Sequence, residues 1–155
     1  MLSSALRAMT KTILIVDDHE IVRQGIRTIL ANLRPGWVIC REAKNGQEAI
    51  EAVKELRPDL IILDISMPVM SGLEAARRIS EMKLGSRILI FTMHESAGLV
   101  AEVQADGAHG FVVKSQAARD LVQALDTLLA GGTFFKPATQ SKSSEDSRQE
   151  ENASA

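Results

Sequence analysis

Five short apolar runs punctuate the chain, and a stretch of helical period follows each. Ile13-Leu14-Ile15-Val16 and Leu60-Ile61-Ile62-Leu63 are continuously apolar, the mark of strands buried on both faces. Arg87 to Thr92 and Phe111 to Lys114 read as further strands, and Trp37 to Ala43 as a shorter, partly polar one nearer a sheet edge. After the first run, Val22, Ile26, Ile29, Leu30 and Leu33 form one apolar stripe over Glu20 to Leu33, with Arg23 and Arg27 outside it. Pro35-Gly36 ends that helix, and Arg57-Pro58 ends a second running from Gln47 to Leu56. Ser71-Gly72-Leu73-Glu74 fits a capping box for a third helix reaching about Lys83. A weaker helix spans Glu95 to Ala105. Ser115 is placed to cap the last one, whose Leu121, Leu125, Leu128 and Leu129 make a buried stripe ending at Gly131-Gly132.

Strand and helix alternate five times. That pattern builds an α/β fold: a parallel sheet with helices on both faces, linked by right-handed crossovers. The first and third strands are the most apolar and belong in the middle. Residues 1–10 read as a flexible extension and 137–155, rich in Ser and Glu, as a disordered polar tail, leaving 11–136 as the folded domain.

Composition narrows the function. Hydrophobic residues make up 45% of the 155, enough for a proper core, but aromatics only 3%, with no Tyr. Stacking platforms for bases are therefore not expected. A net charge of -2 argues against a sequence-independent grip on nucleic acid. The single cysteine, Cys40, cannot form an internal disulfide and reads as a small buried hydrophobe. No run approaches the ~20 apolar residues of a membrane span, and the first residues lack a signal-peptide centre. We expect a cytoplasmic protein without membrane contact.

Chemistry gathers at the strand ends. Strand one ends at Asp17-Asp18, strand three at Asp64, strand four at Thr92 and strand five at Lys114. In a parallel sheet these ends share one edge, so three carboxylates, a hydroxyl and an ammonium converge over the crevice between strands one and three. Clustered carboxylates repel, and hard oxygen donors suit Mg²⁺. Zinc is disfavoured, because His19, His94 and His109 have no partner at ligand spacing and read as surface or loop residues. A carboxylate beside Mg²⁺ is suited to accept a phosphoryl group, with Lys114 supplying charge and Thr92 a hydrogen bond. Met67, Met70 and Met93 read as packing around the site loops.

With Asp17-Asp18, Asp64 followed by Met67-Pro68 and Gly72, then Thr92 and Lys114, the chain resembles the receiver domains of two-component response regulators, the CheY-like family, from about Lys11 to Phe135. The resemblance implies a flavodoxin-like sheet in the order 2-1-3-4-5, as in CheY. It implies that Asp64 takes phosphate from a sensor histidine kinase or phosphotransfer protein. Asp17 would reach Mg²⁺ directly or through water, Asp18 would ligate it, and the Ser66 backbone carbonyl would complete the protein ligands. Thr92 and Phe111 would be the switch residues, Phe111 swinging inward on activation. The face of helix four, strand five and helix five would then bind a downstream protein or a second copy. The residues at Ser66 and His94 would govern hydrolysis of the acyl phosphate, and the small Ser66 would leave room for water.

Two departures stand out: Phe111 where many members have Tyr, and Ser115 where many have Pro. Lys114-Ser115 with Gly131 to Phe135 is similar to receivers joined to LuxR-type DNA-binding domains. Residues 137–155 have neither the length nor the apolar helical period of a DNA-binding domain, so we expect a phosphoacceptor, not a turnover enzyme, acting alone and without binding DNA. The alternative is a receiver fragment of a LuxR-type transcriptional regulator. A Mg²⁺-dependent aspartyl phosphatase would need a second acid at the position of Ser66. A flavin binder would not carry Asp17-Asp18-His19-Glu20 after strand one, and no Gly-rich Lys-Ser/Thr loop exists for a P-loop.

Overall fold

The computed structural model describes residues 10–93 and 95–135. Strands β1 (Thr12–Val16), β2 (Val38–Ala43), β3 (Leu60–Leu63), β4 (Arg87–Thr92) and β5 (Gly110–Val113) form one parallel sheet in the order β2-β1-β3-β4-β5. Helices α1 (Glu20–Leu33), α2 (Gly46–Leu56), α3 (Gly72–Met82), α4 (Ala97–Ala105) and α5 (Ala117–Leu129) make the crossovers. Alternate side chains of a strand point to opposite faces, so an apolar run feeds two cores. Leu14, Val16, Ile61, Leu63, Ile88 and Ile90 pack against Ala49, Ile50, Val53, Ala75, Ala76 and Ile79 of α2 and α3. Ile13, Ile15, Leu60, Ile62, Leu89 and Phe91 pack against Ile26 and Leu30 of α1 and Leu121, Leu125 and Leu128 of α5. Every β3 side chain is buried, as fits the middle of the sheet.

Several local expectations are corrected. Arg23 is not outside the stripe of α1: only 6% exposed, it lines up with Ile26 and Leu30 as the buried face, while Leu33 is half exposed. Arg23 is held there by Glu42 of β2 and by the Asp17 carbonyl, at 2.9 and 2.7 Å. Strand β5 lies one residue earlier than expected, and Lys114 opens a 3₁₀ turn, Lys114–Gln116. That turn makes Gln116, not Ser115, the N-cap of α5, without a side-chain capping bond. The Ser71 hydroxyl does accept from the Glu74 amide at 3.3 Å. The return arm of the box is absent from the bonds among the described residues, and the Glu74 carboxylate instead takes Arg78 at 2.9 Å. Met67 and Met70 pack on the core, but Met93 is 65% exposed. Cys40 is only half-buried, and burial pushes its thiol pKa up.

After α5 the chain returns to the sheet, where the Phe111 amide donates to the Phe134 carbonyl at 2.8 Å and the Phe134 amide to His109 at 3.0 Å. The expected 137–155 tail, His94 and most of the expected 1–10 extension lie outside the described residues.

Candidate functional site

The hydrogen-bond ladder runs one residue past the strands. The Asp64 amide donates to the Val16 carbonyl, and the Asp17 amide to Ala43, both at 3.0 Å. Register pairs Val16 with Leu63, so Asp17 and Asp64 stand side by side at the C-terminal edge of the two innermost apolar strands. Both are buried, at 1% and 4% exposure. Lys114 reaches them from the 3₁₀ turn after β5, its ammonium 2.6 Å from Asp17 Oδ2 and 3.2 Å from Asp64 Oδ2. The other oxygen of Asp64 accepts the Ile65 amide at 2.8 Å. Burial is the main cause that raises the Asp64 pKa, and Asp17 adds to it; Lys114 opposes both. Two acids and one ammonium in a desolvated crevice leave excess negative charge, which favours a cation.

Asp17 and Asp18 are joined by a residue that sequence spacing passed over. His19, the N-cap of α1, makes no side-chain capping bond. Its Nδ1 lies 3.1 Å from Asp17 Oδ1 and 3.2 Å from Asp18 Oδ1. Asp17 Oδ2 is buried and takes no directed hydrogen bond; the Lys114 ammonium meets it as an ion pair only. The cation that this oxygen faces is therefore the Lys114 ammonium. Asp17, Asp18 and Asp64 offer hard oxygens that fit Mg²⁺.

Thr92, also buried, ends β4 opposite Val113, one residue before Lys114. Ser66 is exposed on the loop after β3. Phe111 is already inside, at 2% exposure in the core cluster of Ile88, Ile90 and Val103. A ring without a hydroxyl has nothing to keep in water, so the expected swing from outside does not start from this conformation.

The loop between β3 and α3 is tightly held. The Gly72 amide donates to Ile65 at 2.8 Å, and a Cβ on Gly72 would lie 1.8 Å from the Asp64 carbonyl oxygen. The Gly46 amide donates to Met70 at 3.1 Å, and the Met70 amide closes a tight turn on the Pro68 carbonyl at 2.7 Å. At the turn's centre sits Val69 with φ of 69°, exposed and β-branched.

Residues 13–126 match the family model of the response regulator receiver domain, and the chain belongs to that family. It is 38% identical over 125 residues to the transcriptional regulatory protein LnrK of Bacillus subtilis, covering 81% of this chain and 56% of that protein. It is 37% identical over 127 residues to the nitrate/nitrite response regulator protein NarL of Escherichia coli, covering 82% and 58%. The chain therefore spans about half the length of the curated relatives it matches. A crystal structure of a LuxR-family two-component response regulator from Aurantimonas superposes with a TM-score of 0.79 at 38% identity, over 88% of this chain and 97% of that one. The chain is a receiver domain of the LuxR/NarL class of response regulators, with the CheY-like 2-1-3-4-5 sheet. Among the described residues no helix is long and apolar enough to cross a membrane.

Proposed function

We propose that Asp64 accepts a phosphoryl group from a phosphohistidine of a sensor kinase or phosphotransfer protein. The observation that carries this is Lys114 spanning two buried strand-end acids, at 2.6 Å from Asp17 and 3.2 Å from Asp64. An Asp64 oxygen attacks phosphorus, the P–N bond breaks, and its electron pair goes to the departing imidazole, leaving an acyl phosphate. Asp17, Asp18, Asp64 and the Ser66 carbonyl would hold Mg²⁺, which when bound neutralises charge on the transferring oxygens. Lys114 leaves Asp64 Oδ2 to pair with the phosphoryl group, and Thr92 donates to it. A carboxylate consumed in forming the acyl phosphate makes this a phosphoacceptor and not a turnover enzyme.

Phosphorylation would act by population shift on the face formed by α4, β5 and α5, presented to a downstream protein or a second copy in the cytoplasm. A second reading has specific support. LnrK is named a transcriptional regulatory protein and NarL a response regulator, and this chain spans about half of each, so the same receiver would serve a LuxR-type transcription factor. In either case we propose no DNA binding by these residues themselves.

The test is acetyl phosphate with Mg²⁺, read by intact mass and Phos-tag gel. Wild type should gain one phosphoryl group, and Asp64→Asn or omission of divalent metal should abolish it. Modification persisting at the wild-type level in Asp64→Asn would refute the assignment.

A further inference from the structure

Resting on that metal reading, we propose that His19 is a further protein ligand of the metal centre, beside Asp17, Asp18 and Asp64, and sets its metal preference. An imidazole donor would make the site favour borderline divalent cations such as Ni²⁺, Co²⁺ and Zn²⁺ more than an all-oxygen receiver site does.

The geometry is that of a shared coordination sphere. Metal–donor distances of about 2.1 Å in an octahedron put neighbouring donors about 3.0 Å apart. His19 Nδ1 stands at 3.1 and 3.2 Å from Asp17 Oδ1 and Asp18 Oδ1. Together with an oxygen of Asp64, one donor atom from each of the four residues falls within 4.8 Å of every other.

The position of His19 adds to this. An N-cap side chain usually folds over the first helical amides. Here the His19 carbonyl accepts the Val22 and Arg23 amides, both at 3.2 Å, while the imidazole makes no capping bond and turns back to the acids. The ring is 62% exposed, so a cation can reach its Nδ1 from solvent. Oxygen donors alone select Mg²⁺ by hardness. One imidazole nitrogen adds the steep rise in affinity from Mn²⁺ to Cu²⁺ that nitrogen ligands give.

The alternative is that His19 is only a charged partner of Asp17 and Asp18. The two roles separate under calorimetric titration of the full chain with Mg²⁺ and with Ni²⁺, in wild type and His19→Ala. As a ligand, His19 should be worth about tenfold or more in Ni²⁺ affinity and less than about threefold in Mg²⁺ affinity. As a charged partner only, its removal relieves competition and raises both affinities together. A Ni²⁺-to-Mg²⁺ affinity ratio unchanged by His19→Ala overturns the proposal. A second measurement needs no variant: ¹⁵N spectra of the histidine rings with Zn²⁺ should move His19 Nδ1 into the metal-bound range, and an unmoved Nδ1 also overturns it. Ni²⁺ binding without any Mg²⁺ binding would refute the Mg²⁺ reading while leaving His19 as a ligand. Mg²⁺ binding with an unchanged ratio would refute only the role of His19.

Discussion

Gly72→Ala is the substitution whose outcome the structure constrains most tightly. Its added Cβ would lie 1.8 Å from the Asp64 carbonyl oxygen, 2.7 Å from the Asp64 carbonyl carbon and 3.0 Å from Ile65 Cα. All three are backbone atoms, so no side chain can rotate away. An ordinary carbon–oxygen contact is about 3.5 Å, so loop and helix start must separate by well over an ångström. That shift would stretch the 2.8 Å Gly72–Ile65 bond and drag the backbone that carries Asp64. Overpacking typically costs about 1–3 kcal/mol, and losing a buried hydrogen bond about 1 more; we expect ~3 kcal/mol in total. Gly25→Ala is the matched control: Gly25 sits inside α1 with nothing within 4 Å of its would-be Cβ. It should gain about 0.5–1 kcal/mol from helix propensity. Urea unfolding at constant m-value gives both numbers, and Phos-tag gels with acetyl phosphate report on Asp64. A Gly72→Ala protein that unfolds at the wild-type midpoint and labels at the wild-type rate would refute the reasoning.

Val69→Gly should stabilise the fold by up to about 1 kcal/mol, because the left-handed conformation at φ of 69° strains a β-branched residue and suits glycine; a lower urea midpoint would count against stored strain. Arg23→Ala should cost about 1–3 kcal/mol by leaving the buried Asp17 carbonyl without its donor and Glu42 with Arg27 alone, and Mg²⁺ titration should show weaker binding as the Asp17 backbone loosens. His109 accepts the Ile88 amide through Nδ1 at 3.0 Å, and burial, then the charge of Arg87, lowers its pKa. As pH falls below the ordinary value near ~6.5, the unfolded chain takes up the proton first, so stability should decline below that pH and level off once the folded form protonates. Urea midpoints from pH 8 to 5 should fall more in wild type than in His109→Gln, and equal slopes would exclude the linkage.

The strand ends were legible because a parallel sheet leaves no freedom about them: continuous apolar runs must be strands, and the acids that stop them must share an edge. Arg23 was hidden for the opposite reason. It occupies the same helical stripe as Ile26 and Leu30, but a charge there reads as outward until its partners appear, and Glu42 lies on another element. His19 escaped notice because the usual ligand spacing looks for histidines and cysteines near each other, whereas its neighbours are the two carboxylates just before it. Ser115 failed as a cap because one 3₁₀ turn moved the helix start, a displacement periodicity does not resolve.

The return of Phe134 to the sheet bears on how copies of this domain can meet. Strand β5 is only four residues long, and Phe134 occupies its first outward-facing amide. At the other margin, β2 carries Arg41 and Glu42 and breaks register against β1 between Ile13 and Leu14. Unpaired strand edges are the templates on which chains join edge to edge and aggregate. One margin is thus largely covered, and the other is charged and irregular. Among the described residues, neither margin offers a long, regular, uncharged strand edge on which a second copy could extend the sheet.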